Sequence, residues 1–187
     1  MVRPSVRTIR RRALAVGTLT LATLAPTAIA VRAGAAPAVT RVPGIDVSKW
    51  QGDVDWAEVA TTTTRYVVMR ATIGNTATVP RSIDSRYLGY LAEATANGLV
   101  VGAYRRANVG RATNDAVNEA DHFVDTAQVA AGDILPVLDI EQTHGLNVEE
   151  MQDWVRAWVQ RVRARTGVLP MMYSSPYFWR TNMGDAT

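Results

Sequence analysis

Ile134-Leu135-Pro136-Val137-Leu138-Asp139-Ile140-Glu141 is an unbroken apolar run that ends in two acids one residue apart. Continuous apolar character without alternation is the pattern of a parallel strand covered on both faces. Strand side chains alternate with period two, so Asp139 and Glu141 are expected on one side, with Cα atoms about 6.6 Å apart. Two like charges held close together are costly to bury, which makes packing a poor reason for the pair. The C-terminal rim of a parallel α/β sheet is also where reactive side chains collect. The bland alternative is a pair of solvated acids just past a strand end.

Working outward from that strand, similar runs fall at 44–48, 66–72, 99–105 and 168–175. With 134–141 included, their starts are 22, 33, 35 and 34 residues apart, the length of a βα unit. Amphipathic stretches fill the gaps. Asn147 is placed to cap a helix with Glu149 and Glu150 in its first turn and Arg161, Arg163 and Arg165 in its last, and Gly167 ends it. Met151, Trp154, Val155, Trp158, Val159 and Val162 recur at three- and four-residue spacing, so these tryptophans read as core and not as a sugar platform. Further helices are expected over 85–97, stopping at Gly98, and over 113–131, stopping at Gly132. His122 falls inside the latter and is assigned no role. Five βα units in succession predict an α/β domain, either an open doubly wound sheet or a barrel.

The charge balance narrows the function. The 187 residues hold 20 Lys and Arg against 17 Asp and Glu, a formal net charge of +3. Six of the arginines lie in residues 1–35, a stretch without acids; setting them aside leaves 14 basic residues against the same 17 acids, a net of −3. The positive charge therefore belongs to the leader, and a nucleic-acid partner is not expected. Residues 1–35 read as an export signal: an arginine-rich start, the apolar run 13–25, and small-residue cleavage sites at Ala28-Ile29-Ala30 and Ala33-Gly34-Ala35. Residues 36–43 read as a linker into a domain over 44–187. The apolar run is short for a bilayer span, so a secreted, extracellular monomer without lasting membrane anchoring is expected. The chain has no cysteine and two histidines, which excludes a disulfide framework, a Cys nucleophile and a thiolate metal site. No cofactor and no metal are expected.

A close carboxylate pair suits general acid catalysis, because one ionised acid raises the pKa of its neighbour, and glycoside hydrolysis uses such a pair. Magnesium or calcium binding is the competing chemistry, but no further run of oxygen donors lies near. A second signal is Gly44-Ile45-Asp46-Val47-Ser48-Lys49-Trp50-Gln51-Gly52, an acid on the first strand followed by a tryptophan and a loop glycine. Asp46 could also merely cap the loop after it.

Taken together, these stretches resemble the family 25 glycoside hydrolases, lysozymes of the muramidase type. Asp46 to Gly52 matches that family's Asp-Val-Ser-x-x-Gln-Gly opening, and Asp139-Ile140-Glu141 matches its catalytic Asp-x-Glu strand. Tyr66 to Thr72, Gly98 to Tyr104 and Pro170 to Ser174 resemble its second, third and fifth strands, in order across residues 43–187. The resemblance implies a TIM-like (β/α) barrel of modified type, with five βα units followed by three strands that lack matching helices. The sequence to Thr187 ends before those three strands, so the barrel is expected to be incomplete. The implied activity is hydrolysis of the β-1,4 bond between N-acetylmuramic acid and N-acetylglucosamine in peptidoglycan. Glu141 would be the proton donor, Asp139 would stabilise positive charge or orient the acetamido group, and Asp46 would support both. Tyr104 and Tyr173 would contact substrate.

Two departures stand out. Ile73 occupies a position where the family often carries an acid, and Tyr104-Arg105-Arg106 replaces a Tyr-His-Phe, both expected beside the groove. The family 18 chitinases, with four acids on the fourth strand, fit less well, because Ile134 and Val137 occupy two of those positions. A non-catalytic cell-wall binder or an inactive fragment remains as a reading from a different class.

Overall fold

The computed structural model describes residues 41–74 and 82–184. The chain divides into Met1–Val39 and Thr40–Thr187, and every described element belongs to the second unit. The leader reading, residues 1–35, and most of the linker reading lie outside the described residues.

The domain carries β1 (Gly44–Val47), α1 (Trp56–Thr61), β2 (Tyr66–Ile73), α2 (Tyr87–Ala96), β3 (Val100–Arg106), α3 (Asp115–Ala127), β4 (Val137–Asp139), α4 (Val148–Thr166), β5 (Met171–Tyr173) and α5 (Pro176–Asn182). All five expected strands form one sheet in the order β1-β2-β3-β4-β5, and every pairing is parallel. That order decides between the two architectures left open by the pattern. A doubly wound sheet reverses its strand order at a switch point, whereas a barrel adds each strand beside the last. There is no reversal here, so the sheet is a curled parallel half-barrel. Crossovers of one hand carry the helices to one face, and α2 and α3 lie against β2 and β3. Val47, Val67, Met69, Val101, Ala103, Leu138 and Ile140 point into that buried layer. The alternate positions are left for the other, concave face.

Two strands are shorter than the apolar runs that announce them. β4 keeps only Val137–Asp139 in the ladder, and β5 only Met171–Tyr173. Ile134 still donates to the Val101 carbonyl at 2.8 Å, but Pro136 has no N–H to continue the ladder. At this approach Gly102 faces the Ile134 side chain, and a Cβ there would come within 2.6 Å of it. β1 and β5 are the two sheet edges, and all three residues of β5 are exposed.

The helix punctuation holds where the caps are strong. The Asn147 side chain accepts from the Glu150 N–H at 3.0 Å, and the Glu150 carboxylate accepts from the Asn147 N–H at 2.8 Å, closing a reciprocal box at the start of α4. Gly167 ends that helix at φ 78°. Met151, Trp154, Val155, Trp158 and Val162 are buried beneath it, and the Trp158 ring stands 5.8 Å from that of Phe123 on α3. α3 ends four residues before the expected stop, because Gln128 already adopts the left-handed conformation, φ 51°. Helices α1 and α5, six and seven residues long, are too short for periodicity to announce. Their signals are the caps: Asp55 accepts from Glu58 N–H at 2.9 Å, and Ser175 from Phe178 N–H at 3.1 Å.

Candidate active site

The opening signature folds as a tight unit at the end of β1. Ser48 N–H donates to the Gln51 side chain at 2.7 Å, while the Ser48 hydroxyl caps the 3₁₀ turn Lys49–Gln51. Gly52 closes the turn at φ 68°, a conformation that side chains disfavour. Ser48, Gln51 and Gly52 thus shape the turn, and Asp46 is left to face the concave side. Lys49 N–H and Arg86 N–H both donate to Asp84, at 3.0 Å each. Arg70 Nε and Nη2 grip the same carboxylate at 2.9 and 2.7 Å, with both side chains buried. Asp84 therefore ties together the end of β1, the middle of β2 and the start of α2. Sequence reasoning missed it, since it belongs to no strand run; Arg70 was signalled only by its place at period two from Tyr66 and Val68.

All five residues named from the sequence line one open cleft of about 420 Å³: Asp46 from β1, Tyr104 from β3, Asp139 from β4, Glu141 just beyond it, and Tyr173 from β5. Tyr66, Val68 and Val137 supply its apolar floor. Gly44 lies so close under the Tyr66 ring that a Cβ would overlap it. Asp139 and Glu141 share a side, as the period requires, but differ in depth: Asp139 is half-buried and Glu141 is exposed. The Asp139 Oδ1 atom is buried without a hydrogen-bond partner. Among the described residues, no group of three His, Asp or Glu side chains is placed to hold a metal ion.

Electrostatics separate the two acids. Burial, then the charge of Glu141, pushes the Asp139 pKa up to about 6, against the pull of Arg106 and Arg70 and with a further push from Asp46. Tyr104 rises to about 12, chiefly through burial, so its hydroxyl keeps its proton. Asp139 has a measurable consequence. Its folded value lies above the 3.8 of an ordinary aspartate, so between about pH 4 and 6 the folded state holds a proton that the unfolded state has released. The stability this supplies is complete below about pH 4 and is lost as the pH rises through 6. Asp139→Asn cannot ionise, so it should be more stable than the parent at pH 7.5 by about 1–2 kcal/mol after allowance for partial exposure, and equal to it near pH 4. Thermal melts at both pH values test this, and an offset of the same size at both would refute it.

The two departures behave differently. Ile73 ends β2 half-buried, in register with Arg106, and is not among the residues that line the cleft. Arg105 does not lie in the groove. It points to the helix layer, fully buried, where its guanidinium pairs with Glu119 of α3 and donates to the Glu119 carbonyl at 2.6 Å. Arg106, one residue further on, returns to the concave side.

Comparison with known proteins agrees with this geometry. Residues 45–187 match the model of the glycosyl hydrolases family 25. The N,O-diacetylmuramidase of Chalaropsis sp is 34% identical over 154 residues, covering 78% of this chain and 71% of that protein. Lysozyme M1 of Streptomyces globisporus is 30% identical over 153 residues, covering 77% of this chain and 50% of that protein. Among solved structures, the muramidase from Trichobolus zukalii superposes with a TM-score of 0.71 at 28% identity, covering 78% of this chain and 71% of its own. The bacterial lysozyme from Streptomyces coelicolor superposes at 0.64 with 27% identity, covering 75% and 66%. A family match over three-quarters of the sequence, on a parallel half-barrel with acids at its rim, places this chain in glycosyl hydrolase family 25.

Proposed function

We propose that the domain over 44–187 is a muramidase that cleaves the β-1,4 bond between N-acetylmuramic acid and N-acetylglucosamine in bacterial peptidoglycan. The observation that carries this reading is the convergence of Asp46, Asp139 and Glu141 on one open cleft. Glu141 stands exposed, within reach of a polysaccharide strand, and would give its proton to the leaving oxygen. Asp139, deeper in the cleft, would stabilise the positive charge that develops at the sugar or hold the acetamido group, and Asp46 would support both from β1. Tyr104 and Tyr173 would contact the glycan, Tyr104 as a hydrogen-bond donor.

The raised pKa of Asp139 favours a second assignment, in which Asp139 hands over the proton and Glu141 carries the negative charge. Loss of turbidity in a peptidoglycan suspension, compared among the parent, Glu141→Gln and Asp139→Asn, separates the two. Cleavage of an isolated disaccharide-repeat glycan, followed by mass spectrometry of the new reducing ends, tests the bond.

The reading includes export: residues 1–35 as leader, 36–43 as linker, and a secreted monomer that acts on cell walls without cofactor, metal or nucleic acid. The mature chain should begin near Val31 or Ala36. Intact-mass measurement of protein from the culture medium checks this; a secreted mass that retains the first 30 residues would count against it.

A further inference from the structure

Arg105 and Arg106 are adjacent in sequence and opposite in use. The first is consumed by Glu119 inside the helix layer. The second shares the side of Tyr104, two residues before it, and Tyr104 lines the cleft. In the parallel register Arg106 stands directly beside Asp139, and the Ala107 N–H donates to the Asp139 carbonyl at 2.8 Å, which fixes the two backbones together. Arg106 is half-buried, and no described carboxylate pairs with it through a hydrogen bond or ion pair.

We propose that Arg106 is the counter-charge of Asp139, a positioning residue that favours the ionised form of this carboxylate against its burial and acidic neighbours and aims it into the cleft. The inference rests on the reading of Asp139 as a working group of the site. The remaining charges around Asp139 do not fill this role. Glu141 just beyond its strand and Asp46 on β1 repel it, and Tyr104 keeps its proton. Arg70 on β2 is a cation, but both of its inward nitrogens are bound to Asp84, which offsets its charge. Asp139 has a buried oxygen without a hydrogen-bond partner, and no described carboxylate pairs with Arg106. Burial and repulsion lift the Asp139 pKa, and Arg106 is the largest influence in the opposite direction. The Tyr-His-Phe of the resembling motif has an uncharged phenylalanine at this place, so the device belongs to this chain.

The test is a carbon-13 carboxyl titration of Asp139 by NMR in the full chain, in the parent, Arg106→Gln and Arg106→Lys. Arg106→Gln should raise the Asp139 midpoint by about half to one pH unit at low salt, so that at a given pH on the acid limb the ionised fraction falls about three- to tenfold. Arg106→Lys should restore most of it. The gap should narrow in about 1 M salt, where the screening length shrinks to roughly 3 Å. A merely structural role would move neither the lysine rescue nor the salt response. A midpoint unchanged in Arg106→Gln, or moved as far by Arg106→Lys, would overturn the proposal. The acid limb of peptidoglycan hydrolysis should shift with the midpoint. If the parent hydrolyses nothing, the muramidase reading fails, while the titration still decides the role of Arg106.

Discussion

Glu141→Gln is expected to lower peptidoglycan hydrolysis by about 10²–10⁴-fold, the span that a general acid contributes, with a thermal melt close to that of the parent. The substitution keeps the shape and hydrogen-bonding capacity of the side chain and removes only the transferable proton. Glu141 is exposed and lies past the end of the β4 ladder, so no packed contact depends on its charge. The defect should fall on kcat and leave KM near the parent value, because the lost interaction exists only in the transition state. Turbidity clearance of cell walls measures the rate, and calorimetry measures the fold. Activity within about tenfold of the parent would remove Glu141 from the proton-donor role. If Asp139→Asn then lost all activity, the roles of the two acids would be exchanged.

The shape of the site was legible because it depends on alternation and strand order. Period two places Asp139 and Glu141 on one face, and the βα spacing puts the ends of five strands side by side, so residues 95 positions apart such as Asp46 and Glu141 meet in one cleft. Depth was not legible. Nothing in Asp139-Ile140-Glu141 says that the first acid is half-buried and the second exposed, since this follows from the β4 ladder ending at Asp139, two residues short of Glu141. The partners of charged side chains were equally hidden. Arg70 and Asp84 are fourteen residues apart across a loop, and they meet only because β2 and the start of α2 are brought to the same rim. Arg105 read as a groove residue because it takes the place of the histidine in the resembling Tyr-His-Phe. Its alternation with Tyr104 sends it the other way, and a buried cation is tolerable only with an acid that the sequence places fourteen residues on, in a helix.

That pair gives the largest expected effect on stability. Arg105 and Glu119 are fully buried, joined carboxylate to guanidinium, with Arg105 Nε and Glu119 Oε1 left without hydrogen-bond partners. Burial has already pulled the Arg105 pKa down to about 9, with Asp115 resisting. The geometry is thus imperfect, and two ions have been taken out of water to make it. Such a pair adds little net stability over a well-packed apolar pair, but half of it is far worse than either. Glu119→Ala should cost about 3–5 kcal/mol, because the guanidinium remains in an apolar layer without a counter-charge. Against a typical domain stability of about 5–15 kcal/mol, the variant would unfold at modest temperature or denaturant. Arg105→Met should cost a similar amount by stranding Glu119. The double variant Arg105→Met/Glu119→Leu, which removes both charges and keeps apolar volume, should recover most of the loss. Urea unfolding of the parent, Arg105→Met, Glu119→Leu and the double variant gives the coupling directly. If the double variant falls by the sum of the two singles, the residues act independently and the paired-charge account is wrong. If Glu119→Ala loses less than about 1 kcal/mol, water reaches Arg105 and the helix layer is less dry than its burial implies.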